Sequence, residues 1–213
     1  MVRKHLQILS IGTALIAGAS GVGAIAVSSS NAGGSQDMAD AMSALNRDAT
    51  STPADAGLLT AVDRAARGVG GDASAARASL RLLRANLGSA KEGLYAFSPG
   101  NGSLCFIFWQ RAASCQSDGP GALPGVLFNL SPGGAGYPGQ PDDLHAALAG
   151  VATDDVASVA ITLDGSSRST SVTDNAFFVD LGQLADWPSS KIELTATYVD
   201  GSEESVTLPN LYS

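Results

Sequence analysis

The sequence is short of charge, of aromatic residues and of cysteine. Charged residues make up 15% of its 213 positions, against about 25% in an average globular protein, and aromatic residues make up 6%. Acidic residues outnumber basic ones by 20 to 12, which gives a net charge of −8. A nucleic-acid-binding protein needs a basic surface to neutralise phosphates, so this balance argues against a nucleic-acid partner.

The motifs that mark many enzymes and cofactor sites are also missing. None of the three lysines follows a glycine, which excludes a P-loop, and no G-x-S-x-G nucleophile elbow occurs. Two cysteines ten residues apart and one histidine beyond the N-terminal segment are too few ligands for zinc. The EF-hand spacing of acidic residues is absent as well. We therefore predict no catalytic residue, no cofactor and no metal.

The N-terminus has the pattern of an export signal. Arg3 and Lys4 precede an uncharged, mostly apolar run from Ile8 to Val27, and small residues follow. The run of about 20 residues is also long enough to span a bilayer as a retained anchor. We interpret residues 1–32 as a signal peptide or an N-terminal membrane anchor; a buried core helix is the third alternative. The body is then extracytoplasmic, and either secreted or attached to the plasma membrane only through this segment.

Residues 33–93 are predicted to be a helical region. Apolar residues recur at helical spacing from Met38 to Leu45, and Thr52-Pro53 is typical of a helix start. Asp72 is expected to cap a third helix that runs to about Leu87. On that helix three arginines would share one solvent-facing side, or would bind an acidic or phosphate-bearing partner: Arg77, Arg81 and Arg84.

Residues 94–213 are predicted to form an antiparallel β body. Short apolar runs predict strands at 94–97, 104–109 and 126–130, and residues 112–115 would return beside the second of them. Alternating segments flank Asp-Gly turns at 164–165 and 200–201, which is typical of hairpins. The Gly/Pro-rich connection 131–141 is a surface loop or a boundary between two sub-domains. The predicted fold class is α+β, with the mainly antiparallel part arranged like a sandwich.

Cys105 and Cys115 are predicted to form a disulfide bond. Thiols are not kept reduced outside the cytoplasm, and two cysteines allow a single intramolecular pairing. Cys105 lies in the strand at 104–109, and Cys115 lies in the segment expected to return beside it. Facing residues of neighbouring strands come close enough for the bond.

Parts of the β region resemble known exported proteins. The stretch Ala196–Ser202 with Val206-Thr-Leu208 resembles the closing hairpin of bacterial Ig-like modules. Across residues 94 to 208, the order of strands, the two cysteines and the Gly/Pro connection resembles exported proteins of high-GC Gram-positive bacteria. The resemblance implies a bacterial envelope or secreted protein, and it brings no activity that could be transferred.

His145 is the one histidine available for chemistry in the body. A Ser–His–Asp hydrolase would need it as the base, with Asp142, Asp143, Asp154 or Asp155 as the orienting acid. No pattern locates a nucleophile for such a triad. The same paired acids would suit an irregular calcium site, or would simply cap turns.

These observations predict an exported cell-envelope or secreted protein without enzymatic activity, in a structural or interaction role. Its partner would be an envelope protein or polymer. Two alternatives stay open: a secreted hydrolase that uses His145, and a membrane-anchored envelope signalling partner. In the second, the helical region would serve as a spacer or docking stalk.

Overall fold

The computed structural model describes residues 35–46, 56–88, 91–108, 112–116, 123–131, 145–182 and 192–208. The predicted export segment 1–32 lies outside these ranges, as does nearly all of the Gly/Pro connection. The described helices are α1 (Ser35–Asp40), α2 (Ala56–Gly68) and α3 (Ala73–Ser79). The described strands are β1 (Arg81–Leu87), β2 (Glu92–Phe97), β3 (Leu104–Phe108), β4 (Ala112–Gln116), β5 (Val126–Ser131), β6 (Ala146–Ala152), β7 (Val156–Leu163), β8 (Ser166–Ser171), β9 (Ala176–Gly182), β10 (Ile192–Tyr198) and β11 (Glu203–Leu208).

The strands form three antiparallel sheets. The N-terminal sheet is the meander β1-β2-β3-β4, the central sheet has the order β5-β6-β9, and the C-terminal sheet has the order β11-β10-β7-β8. The chain passes from the central to the C-terminal sheet through the tight turn between β6 and β7, and it returns between β8 and β9. The predicted antiparallel β structure is therefore confirmed, and both Asp-Gly hairpins form as expected.

The central sheet is buried on both faces. Every residue of β5 and β6 is buried, so neither strand shows the alternation of a half-exposed strand. β6 is made of small and apolar residues, Ala-Ala-Leu-Ala-Gly-Val-Ala. At Gly150, a Cβ atom would lie 2.3 Å from the Leu127 carbonyl oxygen and 2.5 Å from the Phe177 ring, so only glycine fits there.

One face of the central sheet shares a hydrophobic cluster with the C-terminal sheet. Phe128, Leu148 and Phe177 come from the central sheet, and Ile161 and Leu194 come from the C-terminal sheet. All five side chains are fully buried. The alternation predicted for β7 and β10 has its physical cause here, since every second residue from Val159 in β7 and from Ile192 in β10 points into this cluster.

The other face of the central sheet lies against the N-terminal sheet and α1. Leu127 and Val151 join Phe106 and Phe108 of β3 and Met42, which follows α1, in a second cluster. The opposite side of the N-terminal sheet is covered by α2 and α3, whose buried residues contact Phe97 and Ile107 among others. The described helices therefore pack against sheets.

The predicted third helix is wrong beyond Ser79. Leu80 has an extended backbone, with φ −61° and ψ 126°, and β1 begins at the next residue. Residues 81–87 pair with β2 instead of continuing the helix. Leu83 and Leu87 are four residues apart, a spacing that puts both side chains on one face of a helix and equally on one face of a strand, and both are buried in β1. Tertiary pairing here overrides the local helical pattern.

The predicted row of arginines is consequently split between a helix and a strand. Arg77 lies in α3 and pairs with Asp63 of α2 at 2.5–2.7 Å, and this contact lowers the pKa of Asp63. Arg81 lies in β1 and donates to the backbone carbonyls of Ala78 and Leu80, at 3.1 and 3.0 Å. These contacts are structural and do not build one common binding face.

The segment 41–46 is fixed onto the turn between β6 and β7. Asn175 accepts from the Ala44 amide at 2.8 Å and donates to the Ala152 carbonyl at 2.8 Å. The Asp154 carboxylate accepts from the Ser43 amide at 3.2 Å and from the Asn175 side chain at 2.7 Å. Asn175 is 4% exposed and has a left-handed backbone, φ 59°, which asparagine tolerates better than most residues.

We expect Asn175→Asp to destabilise the protein strongly. The change removes the amide donor to Ala152 and sets a second carboxylate against Asp154. Leaving a buried acceptor without its donor costs about 1–3 kcal/mol, and charge repulsion adds to this loss. Urea denaturation at pH 7 measures the effect, which should shrink as the pH falls and the carboxylates protonate. Asp164→Asn is the matched control, because Asp164 also has positive φ but lies in an exposed turn. Equal stability of the two variants would contradict the assigned role.

Candidate functional site

The predicted disulfide between Cys105 and Cys115 is present. The two residues lie directly opposite each other on β3 and β4, with Cα atoms 4.0 Å apart. Cys105 is fully buried, and Cys115 Sγ lies 4.0 Å from the Ala65 carbonyl oxygen of α2. The bond therefore joins the last two strands of the N-terminal sheet beneath the helices. Its presence is compatible with an extracytoplasmic location.

His145 and Asp180 form the most chemically suggestive pair in the described part of the chain. His145 immediately precedes β6, and Asp180 lies in β9, the neighbouring strand. His145 Nδ1 is 2.9 Å from both carboxylate oxygens of Asp180. The side chains are 35% and 40% exposed, so the pair can be reached from solvent.

The Asp180 carboxylate is held in place by a local irregularity of β9. Ala147 pairs with Asp180 while Ala146 pairs with Gly182, which leaves Leu181 as an extra residue. Asp180 Oδ1 accepts from the Gly182 amide at 2.8 Å, and Gly182 has φ 78°. Arg168 of β8 donates to the Asp180 carbonyl oxygen at 2.7 Å. Such bulges re-aim side chains next to functional sites.

Asp154 and Asp155, two of the acids proposed from the sequence to orient His145, lie at the other end of β6 from it. Asp154 and Asp155 follow β6, whereas His145 precedes it, so the seven-residue strand separates them by about 23 Å at 3.3 Å per residue. Asp154 binds the Ser43 amide, and Asp155 accepts from the Thr153 hydroxyl. Asp142 and Asp143 lie outside the described residues. No local sequence pattern identifies Asp180 as the partner of His145, because the alanine-rich β6 has no alternation that predicts a strand and its pairing with β9 joins distant parts of the chain.

Asp155 and Asp200, two of the described acids, accept hydrogen bonds within turns. Thr153 and Asp155 form a hydrogen-bonded turn, and Asp200 accepts from the Ser202 amide and hydroxyl in the last hairpin. Those bonds lower the pKa of Asp200. Among the described residues, no three His, Cys, Asp or Glu side chains converge as metal ligands would.

Within the described ranges, none of the helices has the length and apolar character needed to cross a bilayer. The predicted anchor at 1–32 lies outside those ranges and stays a prediction.

No protein-family model, no curated protein and no solved structure matches this chain. The resemblance to exported proteins of high-GC Gram-positive bacteria and to Ig-like modules therefore stays a prediction as well.

Tyr198 links the last hairpin to the turn before β5. Its hydroxyl donates to the Pro124 carbonyl oxygen at 3.1 Å. Partial burial, helped by the negative charges of Glu204 and Asp155, raises the pKa of Tyr198 to about 12. The folded state thus favours the neutral phenol, whose pKa in an unfolded chain is about 10. The resulting contribution to stability is complete below pH 10 and is lost as the pH rises through 12.

Absorbance titration at 295 nm tests this shift. The wild type minus Tyr198→Phe difference should show one tyrosine with a midpoint near pH 12 in the folded protein and near pH 10 in urea. A difference curve with its midpoint near pH 10 in the folded protein would contradict the desolvation argument. Tyr198→Phe should also flatten the loss of stability between pH 10 and 12, because the titrating group is gone.

Removing the disulfide should lower thermal stability. By the chain-entropy estimate, closing a loop of about 11 residues contributes about 3 kcal/mol. For a domain of this size that corresponds to a melting temperature lower by roughly 6–12 °C. Calorimetry of Cys105→Ser with Cys115→Ser measures the change, and reduced wild-type protein serves as the control. The expectation fails if oxidised and reduced wild type melt at the same temperature.

Proposed function

We propose that the protein is exported and acts outside the cytoplasm in a structural or interaction role at the cell envelope or in its surroundings. The Cys105–Cys115 bond carries this proposal, because disulfide bonds persist in oxidising compartments and are rare in the cytosol. The basic start and apolar run of residues 1–32 support it from the sequence. Whether that segment is cleaved or retained as an anchor decides between a secreted and a membrane-attached form.

The proposed architecture is a sandwich of the central and C-terminal sheets. Its support is the hydrophobic cluster that both sheets share, with Phe128 and Phe177 on one side and Ile161 and Leu194 on the other. The two sheets are antiparallel, and alternate residues of β7 and β10 enter the cluster. The helices and the N-terminal sheet then form additional layers on the far side.

The proposed partner is a polar envelope protein or polymer. Support comes from the outward side of the C-terminal sheet, where short hydroxyl side chains predominate and can donate and accept hydrogen bonds. The strand register places these residues there: Ser158, Thr162, Ser167, Ser169, Ser171, Thr195, Thr197, Ser205 and Thr207, with Glu193 and Glu203. The net charge of −8 makes an anionic lipid surface an unfavourable partner.

A second candidate function is a secreted hydrolase. The observation that favours it is the His145–Asp180 pair, which has the contact that orients the histidine of a Ser–His–Asp triad. The pair is partly exposed and lies where the central sheet ends, so a substrate could approach it. The choice between this function and the first depends on whether a nucleophile adjoins His145.

Export can be tested with a reporter that is active only outside the cytoplasm, fused after Ser213. We expect activity from the wild-type fusion and a large loss from Leu15→Arg, which places a charge inside the apolar run. Ser28→Arg adds the same charge beyond the run and should leave the reporter active. Mass spectrometry of the N-terminus then separates the two forms, since intact Met1 indicates an anchor and a start at Val27 or Gly33 indicates release. An inactive reporter on a wild-type fusion that accumulates intact in the cytoplasm would end the export proposal.

A further inference from the structure

We propose that Ser131, His145 and Asp180 form a Ser–His–Asp site for acyl transfer at one end of the central sheet. Its substrates would be esters or amides. The inference rests on the second candidate function and supplies what that function lacked, a nucleophile.

The strand order brings the three residues together. Ser131 ends β5, His145 precedes β6 and Asp180 lies in β9, and the sheet order β5-β6-β9 puts the histidine in the middle. Ser131 and Asp180 both pair with Ala147, one from each side. His145 is two residues before Ala147 and is therefore the diagonal neighbour of both. Diagonal neighbours lie about 7–8 Å apart between Cα atoms, a distance that long side chains can bridge.

All three residues belong to the same face of the sheet. Leu130, Ala146 and Leu181, each next in sequence to one of the three, point into the cluster shared with the C-terminal sheet. Because side chains alternate along a strand, Ser131, His145 and Asp180 fall on the opposite face, where Ala147 also lies. The bulge at Leu181 leaves this assignment intact, since Leu181 and Val179 both enter the first cluster.

The His145–Asp180 contact corresponds to the histidine–acid half of a Ser–His–Asp triad. When Nδ1–H donates to the carboxylate, Nε2 of neutral imidazole carries the lone pair that accepts a proton. The observed contact of 2.9 Å is at Nδ1. Asp180 is fixed by the Gly182 amide, so it is a positioning residue that holds the ring.

The reaction follows from these positions. The Ser131 oxygen would attack the acyl carbon while its proton passes to His145 Nε2. The bond to the leaving alcohol or amine then breaks, and that group takes the proton from His145. Water hydrolyses the acyl-serine by the same proton route in reverse, releasing the acid and restoring the serine hydroxyl.

Labelling of the purified full-length chain with a fluorophosphonate tests the site. Attack by the serine oxygen on phosphorus expels fluoride and leaves a covalent adduct, which peptide mass mapping assigns to a residue. We expect the adduct on Ser131 in the wild type and none in Ser131→Ala. Ser114→Ala is the matched control, because Ser114 is also a buried strand serine, at 1% exposure. The Ser114→Ala variant should still be labelled at Ser131.

His145→Gln should slow labelling by about 10²–10⁴-fold, the usual contribution of a general base. Asp180→Asn should slow it too, and Asp180→Glu should recover part of the rate, which a merely structural role would not do. Circular dichroism and melting temperature confirm that each variant is folded.

The outcomes separate the inference from the function on which it rests. An adduct on another serine that still depends on His145 would overturn the role of Ser131 and leave the hydrolase standing. An adduct whose rate is the same in His145→Gln would overturn both. No adduct in folded wild-type protein would also overturn both, in favour of the structural or interaction role.

Discussion

The packing of the three sheets depends on the central sheet, in which the strands β5 and β6 are buried on both faces. Once β5 and β6 are buried on both sides, each face of the central sheet must be covered by apolar side chains from another layer. The C-terminal sheet covers one face, and the N-terminal sheet with α1 covers the other. Close layers need small residues between them, which is why β6 is rich in alanine and why Gly150 has no room for a side chain.

This constraint also accounts for the rest of the stabilising contacts. Alanine buries little area per residue, so a sheet built from it provides less hydrophobic free energy than one of valine and isoleucine. The larger side chains stand on the covering layers, as Phe106 and Phe108 do, or at the edges of the central sheet, as Phe128 and Phe177 do. On the far side of the N-terminal sheet the helices pack through a third hydrophobic cluster, and two specific bonds are added there, the disulfide between β3 and β4 and the Asp63–Arg77 pair between α2 and α3.

Much of the β structure could be predicted from the sequence, because turns and alternation are local signals. The hairpins at Asp164-Gly165 and Asp200-Gly201, the buried strand at 104–108 and its disulfide partner strand all follow from residues close in the chain. β6 could not be predicted, since an alanine-rich strand buried on both faces has neither alternation nor β-branched enrichment. β1 was predicted as helix because its leucines have helical spacing, and pairing with β2 decided otherwise. The His145–Asp180 contact depends on the pairing of β6 with β9, so it could not be predicted from the sequence for the same reason.

The contacts of residues 41–46 determine when this segment can reach its folded position. Ser43 binds Asp154, 111 residues later, and Ala44 binds Asn175, 131 residues later. A chain that emerges from a ribosome or a membrane channel with its N-terminus first must hold this segment undocked until β6, the following turn and the start of β9 have appeared. Closing so long a loop is slow compared with forming the hairpins. Segment 41–46 is thus among the first described residues to emerge and among the last to reach its folded position. Until it docks, the apolar side chains of Met38 and Met42 are not fully buried.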